Sequence, residues 1–385
     1  MRRALDLHDL VQDLSEEVGR RLVVLDDRMQ VLAYSIHETP DDRRRLSFVL
    51  AHTDAWQPLP PGADEEVADE PGLGRRVVWP LHDHRHRVGH LLLVLDPGEE
   101  AVPERVRARL TGAAPQLGVT LSLRTLYAAR DRQRVQELLG ALVGADATAR
   151  AAAAPALVEE GLIGASEQYC AVALGVLPRV AEAPDQAALA VAGVLDFVAA
   201  TSTASLAGAA LDERTAVLVF PRPVVLPRLE RLLQRPELSA VRAGIGPVVG
   251  SLEAAHESYA RARRAWRVCC VDTDSGPVRA WDSLGLDRLL AMLPLDELTG
   301  TDLPSSVQEL LKLGPDLVAT VERYLSCGGD AQQTARELTI HRSTLYYRLD
   351  RVRDRLSVDL ADGQVRRELH TGLRIARLAG LVPSD

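Results

Sequence analysis

The chain has 385 residues, 46% of them hydrophobic and 26% charged, with a formal net charge of −9. That length allows two or three domains, and the balance is that of a folded globular protein, not of a disordered or fibrous one. No apolar run approaches the roughly 20 residues that span a bilayer, and the opening Met1-Arg2-Arg3-Ala4-Leu5-Asp6-Leu7-His8 lacks an apolar h-region, so a cytoplasmic protein with no membrane partner is expected.

In chain order, residues 5–19 read as an amphipathic helix, 21–25 and 30–34 as strands around the turn Asp26-Asp27, and 75–81 and 88–95 as a hairpin around Asp83-His84-Arg85. Prolines and glycines at 58–62 and 71–72 mark loops between them. From 103 to 143 the pattern is helical. Leu110, Leu117, Leu121, Leu126, Leu138, Leu139 and Leu142 form an apolar seam interrupted by Pro115, and a connecting helix that pairs with its copy in a dimer is expected. The Ala-rich stretch 145–155 reads as a hinge. Strands at 169–176, 205–211, 216–220 and 241–245 alternate with helices at 185–201, 226–233 and 252–270. The order βαββαβα is that of a ferredoxin-like α+β sheet, the core also used by nucleotide cyclases. Five segments follow: 1–102, 103–155, 156–275, a linker at 276–315 and an all-α module at 316–385.

The C-terminal module carries the most specific pattern. Asp330 to Leu349 reads as two short helices joined by a tight turn, the arrangement of a helix-turn-helix whose second helix enters the DNA major groove. Leu345, Leu349, Val352 and Leu356 follow steps of four, three and four, which puts them on one apolar stripe. Ala335, Leu338 and Ile340 supply the facing surface, and the small Ala335 permits a close crossing. Opposite the stripe lie Ser343, Tyr347 and Arg351, flanked by Arg342, Thr344, Tyr346 and Arg348. The helix starts after His341, so its free N–H groups and positive dipole end favour a phosphate there. Arg can pair with guanine, and Ser, Thr and Tyr can donate or accept at base edges. Residues 339–355 hold five Arg and two Asp in a chain that is acidic overall. Thr339 stands at the turn position where Gly is usual, and a β-branched residue at positive φ is strained. The closing helix, 365–379, presents Val365, Leu369, Leu373 and Ala376 on one face, which packs the module.

The run His341-Arg-Ser-Thr-Leu-Tyr-Tyr-Arg-Leu349, with Thr334-Ala335-Arg336 and Leu338 before it, resembles the PucR/CdaR-like family of bacterial transcription regulators. Asn is commoner than Ser343 there. Tyr324-Leu325 followed by Gly328-Gly329-Asp330, the connecting segment Leu284 to Leu290 with Leu313-Gly314-Pro315, and Gly244-Ile245-Gly246 followed by Ser258-Tyr259, Ala262-Arg263 and Ala265 extend the likeness over roughly 156–380. It implies a central GGDEF-like domain and a DNA-binding regulator with no cofactor. Its partners would be double-stranded promoter DNA, an unknown small-molecule effector and a second copy of the chain. At fold level only, residues 1–102 resemble a GAF-like or PAS-like sensor domain.

Other chemistries fit less well. A nucleotide cyclase would need acidic metal ligands and a glycine-rich hairpin. The hairpin Leu211-Asp-Glu-Arg-Thr215 has the acids without the glycines, and Gly328-Gly329-Asp330 lies outside the central domain. The competing reading is nevertheless a signalling enzyme or cyclic-nucleotide receptor centred on that domain. His82, His84, His86 and His90 could offer imidazoles to a metal, yet Arg76, Arg85 and Arg87 surround them and a solvated hairpin tip is the simpler account, so no metal is assigned. Cys170, Cys269, Cys270 and Cys327 show no C-x-x-C spacing and read as buried thiols. No nucleophile triad, Walker loop or dinucleotide fingerprint is visible, and no catalytic residue is assigned.

Overall fold

A computed structural model describes the chain except for residues 1–6, 28, 36–46, 50–51, 53–55, 61, 71–73, 85, 97, 178–183, 202–205, 273–274 and 383–385. The chain forms two compact units, 1–132 and 133–385.

In the first unit, helix α1 (Leu7–Val18) buries Leu7, Val11 and Leu14, one face at helical spacing. Five strands follow: β1 (Leu22–Leu25), β2 (Val31–Tyr34), β3 (Glu66–Glu70), β4 (Gly74–Asp83) and β5 (His86–Val94). They pair antiparallel in the order β2-β1-β5-β4-β3. Leu91 and Leu93 of β5 pack with α1 and with Leu110, Leu117 and Leu121 of helix α2 (Glu104–Val143). The alternate residues Leu92 and Val94 join Val23, Leu25 and Val78 in a second cluster. Burial of both faces accounts for the unbroken apolar run Leu91-Leu92-Leu93-Val94-Leu95. The expected irregular middle contains β3, an edge strand paired to β4 alone and rich in Asp and Glu, which keep such an edge from recruiting another chain. The loop expected at 71–72 and the start of the helix expected at 5–6 lie outside the described residues.

Helix α2 runs through Pro115 without a break. Proline leaves one carbonyl without its donor, and Pro115 and Thr111 are exposed, so water can satisfy it. The apolar seam is mostly spent within the chain. Leu110, Leu117 and Leu121 are buried in the first unit and Leu138, Leu139 and Leu142 in the second, while Leu126 is 65% exposed. The stretch read as a hinge is instead helix α3 (Ala147–Glu159), capped by Asp146, whose carboxylate accepts from the backbone N–H of Thr148 and Ala149. Alanine is the strongest helix former, and burial of Ala153, Ala154 and Leu157 fixes the helix in place.

The second sheet comprises β6 (Cys170–Val176), β7 (Ala207–Ala210), β8 (Thr215–Phe220), β9 (Val241–Ile245) and β10 (Val278–Ala280), in the order β10-β9-β6-β8-β7. The first four in sequence are antiparallel in the expected ferredoxin-like arrangement. β10 adds itself parallel to β9, from a segment read as linker. Helices α4 (Pro184–Thr201) and α5 (Leu226–Leu233) cover one face through Val191, Val194, Leu229 and Leu233. Helix α6 (Ala255–Val271) covers the other through Ala255, Tyr259 and Ala262.

This second contact explains the glycines of the quoted motif. A Cβ on Gly244 would collide with the Ala262 carbonyl oxygen and lie 2.9 Å from the Trp266 Cα; one on Gly246 would strike the Ser258 backbone. A Cβ on Gly175 would meet the Trp266 ring at 2.6 Å. Only glycine lets the helix lie this close. Buried Ser258 pins it there, accepting from Ala171 N at 2.9 Å and donating to the Pro247 carbonyl at 2.7 Å.

After the short helix α7 (Asp287–Leu290) come five helices that share one core: α8 (Ser305–Lys312), α9 (Pro315–Ser326), α10 (Ala331–Glu337), α11 (Arg342–Leu356) and α12 (Gly363–Leu378).

Candidate nucleic-acid interface

The core of the helical module places α11. Leu345, Leu349 and Val352 are buried against Ala335 of α10, Leu317 and Val321 of α9, and Leu369 and Leu373 of α12, with Leu356, Leu338 and Ile340 at its margin. The stripe is therefore spent inward, and the opposite face is left to solvent.

The approach to α11 is built from two turns. Gly328 and Gly329 adopt positive φ, 64° and 87°, which closes α9. Asp330 then caps α10, its carboxylate accepting from Gln332 N at 2.7 Å and Gln333 N at 3.0 Å. The Gly-Gly-Asp run thus serves as a helix stop and a helix start. At the far end of α10, Thr339 has φ 55°, so the turn keeps the left-handed conformation that glycine usually supplies, although the residue is β-branched. Its N–H bonds to the Arg336 carbonyl, and that of Ile340 to the Ala335 carbonyl, so the chain reverses within one residue and enters α11.

His341 is the N-cap of α11. Its Nδ1 accepts from Ser343 N at 3.3 Å and lies 2.7 Å from Ser343 Oγ. Arg342, Ser343 and Thr344 form the exposed first turn. Arg342 lies over the Tyr346 ring at 5.6 Å and donates to its hydroxyl at 3.2 Å, so the two side chains hold each other on the flank. Tyr347 is 66% exposed, Tyr346 45%. Ser343, Tyr347 and Arg351 line up outward at intervals of four. Further along, Asp350 is paired with Arg353, which removes some of its repulsion towards a phosphate.

Arg348 stands apart from the other expected contacts. Its guanidinium donates to Thr320 Oγ1 at 3.1 Å and lies 3.8 Å from Asp316, both on α9. It faces inward along the module, where it braces α11.

The module is joined to the sheet domain by a side chain the sequence does not single out. Arg374 of α12 binds Asp272, at the end of α6, through two bonds of 2.7 Å, and Asp287, at the start of α7, at 3.0 and 2.6 Å. Burial opposes its charge, but the bonds to Asp287 and Asp272 outweigh burial and raise its pKa. Ile375, Leu378 and Ala379 complete the contact against Ala265 and Val268 of α6.

The remaining candidates come apart. His82 and His86 lie at the strand ends beside the hairpin tip, and His84 is in its turn at φ 51°. His90 is buried, its Nδ1 bonded to the Asp26 carbonyl at 3.1 Å, and burial lowers its pKa. Among the described residues no three metal-binding side chains come together, and no helix is long and apolar enough to cross a membrane. Asp212 of the acidic hairpin spends its oxygens on its own turn, accepting from Arg214 N and Thr215 N at 2.8 Å and from Thr215 Oγ1 at 2.6 Å. Burial pushes the Cys170 and Cys269 thiols up to about 11 and Cys270 to about 12, which leaves them protonated.

Residues 317–375 match the PucR C-terminal helix-turn-helix domain, and residues 163–268 match the GGDEF-like domain. Uncharacterized proteins of Mycobacterium tuberculosis and Mycobacterium bovis are 33% identical over 116 residues, 29% of this chain. The match spans only 26% of those relatives' own length. The crystal structure of the regulator of polyketide synthase expression from Bifidobacterium adolescentis aligns over 64% of this chain and 98% of its own, with 17% identity and a TM-score of 0.26. PelD 158-CT from Pseudomonas aeruginosa PAO1 aligns over 63% and 81%, with 16% identity and a TM-score of 0.17.

Proposed function

We propose that this chain, which belongs with the PucR/CdaR-like regulators through its GGDEF-like and helix-turn-helix domains, is a transcriptional regulator that reads promoter DNA with helix α11. One observation carries the reading: the buried stripe of α11 turns Ser343, Tyr347 and Arg351 outward on a face with no competing packing role. The exposed first turn, His341 to Thr344, meets phosphate through its backbone N–H groups, while Arg342, Ser343 and Tyr347 contact base edges. Tyr346 orients Arg342. Arg348 sets the angle of α11 on α9 and is not assigned a base contact.

A single helix-turn-helix reads only a few base pairs, so a homodimer on a repeated or palindromic site follows. Leu286, Leu289, Met292 and Leu293, each 41–69% exposed, form an apolar surface that supports pairing. The first unit is assigned the sensing of a small-molecule effector. The central domain is assigned a relaying role and no enzymatic one, in keeping with the way Asp212 is used.

Fluorescence anisotropy on the DNA upstream of its own gene tests this reading. Wild type should bind specifically in the presence of random competitor, with affinity falling steeply as salt rises. Arg342→Ala/Tyr347→Ala should weaken specific binding by at least roughly tenfold, since each good base contact is worth about 1–3 kcal/mol. Equal binding by both proteins would remove α11 as the reader.

A further inference from the structure

We propose that the central domain holds a ligand site of its own, for a small organic anion with an apolar or aromatic body. A cavity of about 540 Å³ opens between the C-terminal part of α4, the end of β8 and the start of α5. Its volume lies in the roughly 300–1,000 Å³ range of small-molecule sites. The floor is apolar: Leu229 belongs to the buried core of the domain, and Phe197 and Phe220 form walls. Arg235 lies over the Phe197 ring at 4.2 Å, which holds that wall in place.

The rim supplies the charge. Arg222 and Arg228 line the cavity, both exposed, and among the described residues no carboxylate lines it. Elsewhere in this unit arginines are commonly engaged by acids, as Arg374, Arg377 and Arg267 are. Among the described residues Arg222 and Arg228 have no such ion pair. In a chain of net charge −9, two unpaired guanidiniums over an apolar hollow form a local attraction for an anion. A carboxylate, sulfonate or phosphate would sit between them in charge-assisted hydrogen bonds while its apolar part enters the hollow.

The site is distinct from the place where a cyclase of this architecture would hold nucleotide phosphates. It lies at Phe220, the far end of β8, whereas the acidic hairpin 211–214 precedes the first residue of that strand. It also goes beyond the proposed effector site in the first unit.

The probe is 8-anilinonaphthalene-1-sulfonate, an aromatic sulfonate that fluoresces when bound, titrated into the full chain with no DNA present. The outcome is therefore independent of whether α11 reads DNA. Octanoate and benzoate should displace the probe, and inorganic phosphate at the same concentration should not. Arg222→Ala/Arg228→Ala should weaken the sulfonate by at least roughly tenfold and the uncharged N-phenyl-1-naphthylamine by less than about twofold. Both arginines are exposed, so the variant should keep its unfolding midpoint. Sulfonate affinity unchanged in the double variant would overturn the proposal. Displacement by phosphate as effective as by octanoate would overturn it too, because the apolar hollow would then contribute nothing.

Discussion

In the central domain a helix lies on the sheet with backbone against backbone, whereas in the C-terminal module the helices are held apart by leucines and tied at their edges by arginines. Gly244 and Gly246 face the backbone of α6 directly, with no side chain between. By contrast Leu345 and Leu349 separate α11 from α9 and α12, and Arg348 and Arg377 bind Thr320 and Glu322 at the margins. A backbone contact contains no soft torsion that can absorb a change, whereas a leucine or an arginine has several. The first arrangement therefore makes a rigid body and the second an adaptable one. Arg374 fastens one to the other, a polar clasp beside the apolar contact of Ile375, Leu378 and Ala379 with α6.

The largest effect expected of this contrast is that of Gly244→Ala. The added methyl meets the Ala262 carbonyl and Trp266 backbone, neither of which can rotate away. Overpacking typically costs about 1–3 kcal/mol, and this site should reach or exceed the upper end. Denaturant unfolding followed by tryptophan emission should show a lower midpoint. A loss below about 1 kcal/mol would mean that the sheet–helix contact yields, and the contrast would fail. A smaller effect is expected of Arg374→Met. The ion pairs are only partly buried, with the guanidinium 21% exposed, so the loss should be about 1–2 kcal/mol rather than the larger cost of a fully enclosed pair. Most of it arises from leaving Asp272 and Asp287 facing each other. Asp272→Asn/Asp287→Asn in the same background should therefore recover much of the stability. No recovery would indicate that Arg374 acts by packing alone.

How much of this was legible depends on how local each pattern is. Helix α11 shows a 3.6-residue period, a polar face and a start after His341, all written within a few turns, and the structure places them as expected. Helix Leu226–Leu233 and strand Val241–Ile245 took their expected bounds because prolines and glycines punctuate them. What escaped depends on distant partners or on composition without period. β3 is a strand only because β4 offers an edge to it. β10 has three residues and needs β9 beside it. The alanines of α3 carry no apolar period, and their propensity was outweighed by the look of a hinge. Arg348 sits at the border of the outward polar face, and which way it turns is decided by Thr320, 28 residues earlier. The Arg374 joint spans 102 and 87 residues, and no pattern in one sequence links such positions.

The smallest effect tests the adaptable module at a strained turn, one of two places where a non-glycine residue, Thr339 or Ser357, takes positive φ among its described residues. Three helices there, α9, α10 and α12, end in the same motif. After α9, Gly328 takes φ 64° while its N–H bonds to the Leu325 carbonyl and that of Gly329 to the Tyr324 carbonyl. After α10, Thr339 takes φ 55° with the equivalent bonds to Arg336 and, through Ile340, to Ala335. This is the Schellman arrangement, whose left-handed residue is usually glycine. Threonine has a β-branched side chain in that conformation, a strain of roughly 1–2 kcal/mol, and being exposed it gains little from packing. Glycine would relieve the strain but would lose about 0.5–1 kcal/mol through the greater freedom of its unfolded chain. Thr339→Gly should accordingly stabilise the module by about 0.5–1 kcal/mol, seen as a small rise in unfolding midpoint. DNA affinity should change little, because the turn precedes the face proposed to contact DNA. Gly328→Thr, the reverse exchange at the first turn, should lower the midpoint by a comparable amount. If Thr339→Gly instead destabilised the module, the threonine would be making a contribution that its left-handed backbone and exposure do not suggest, and the equivalence of the two turns would be lost.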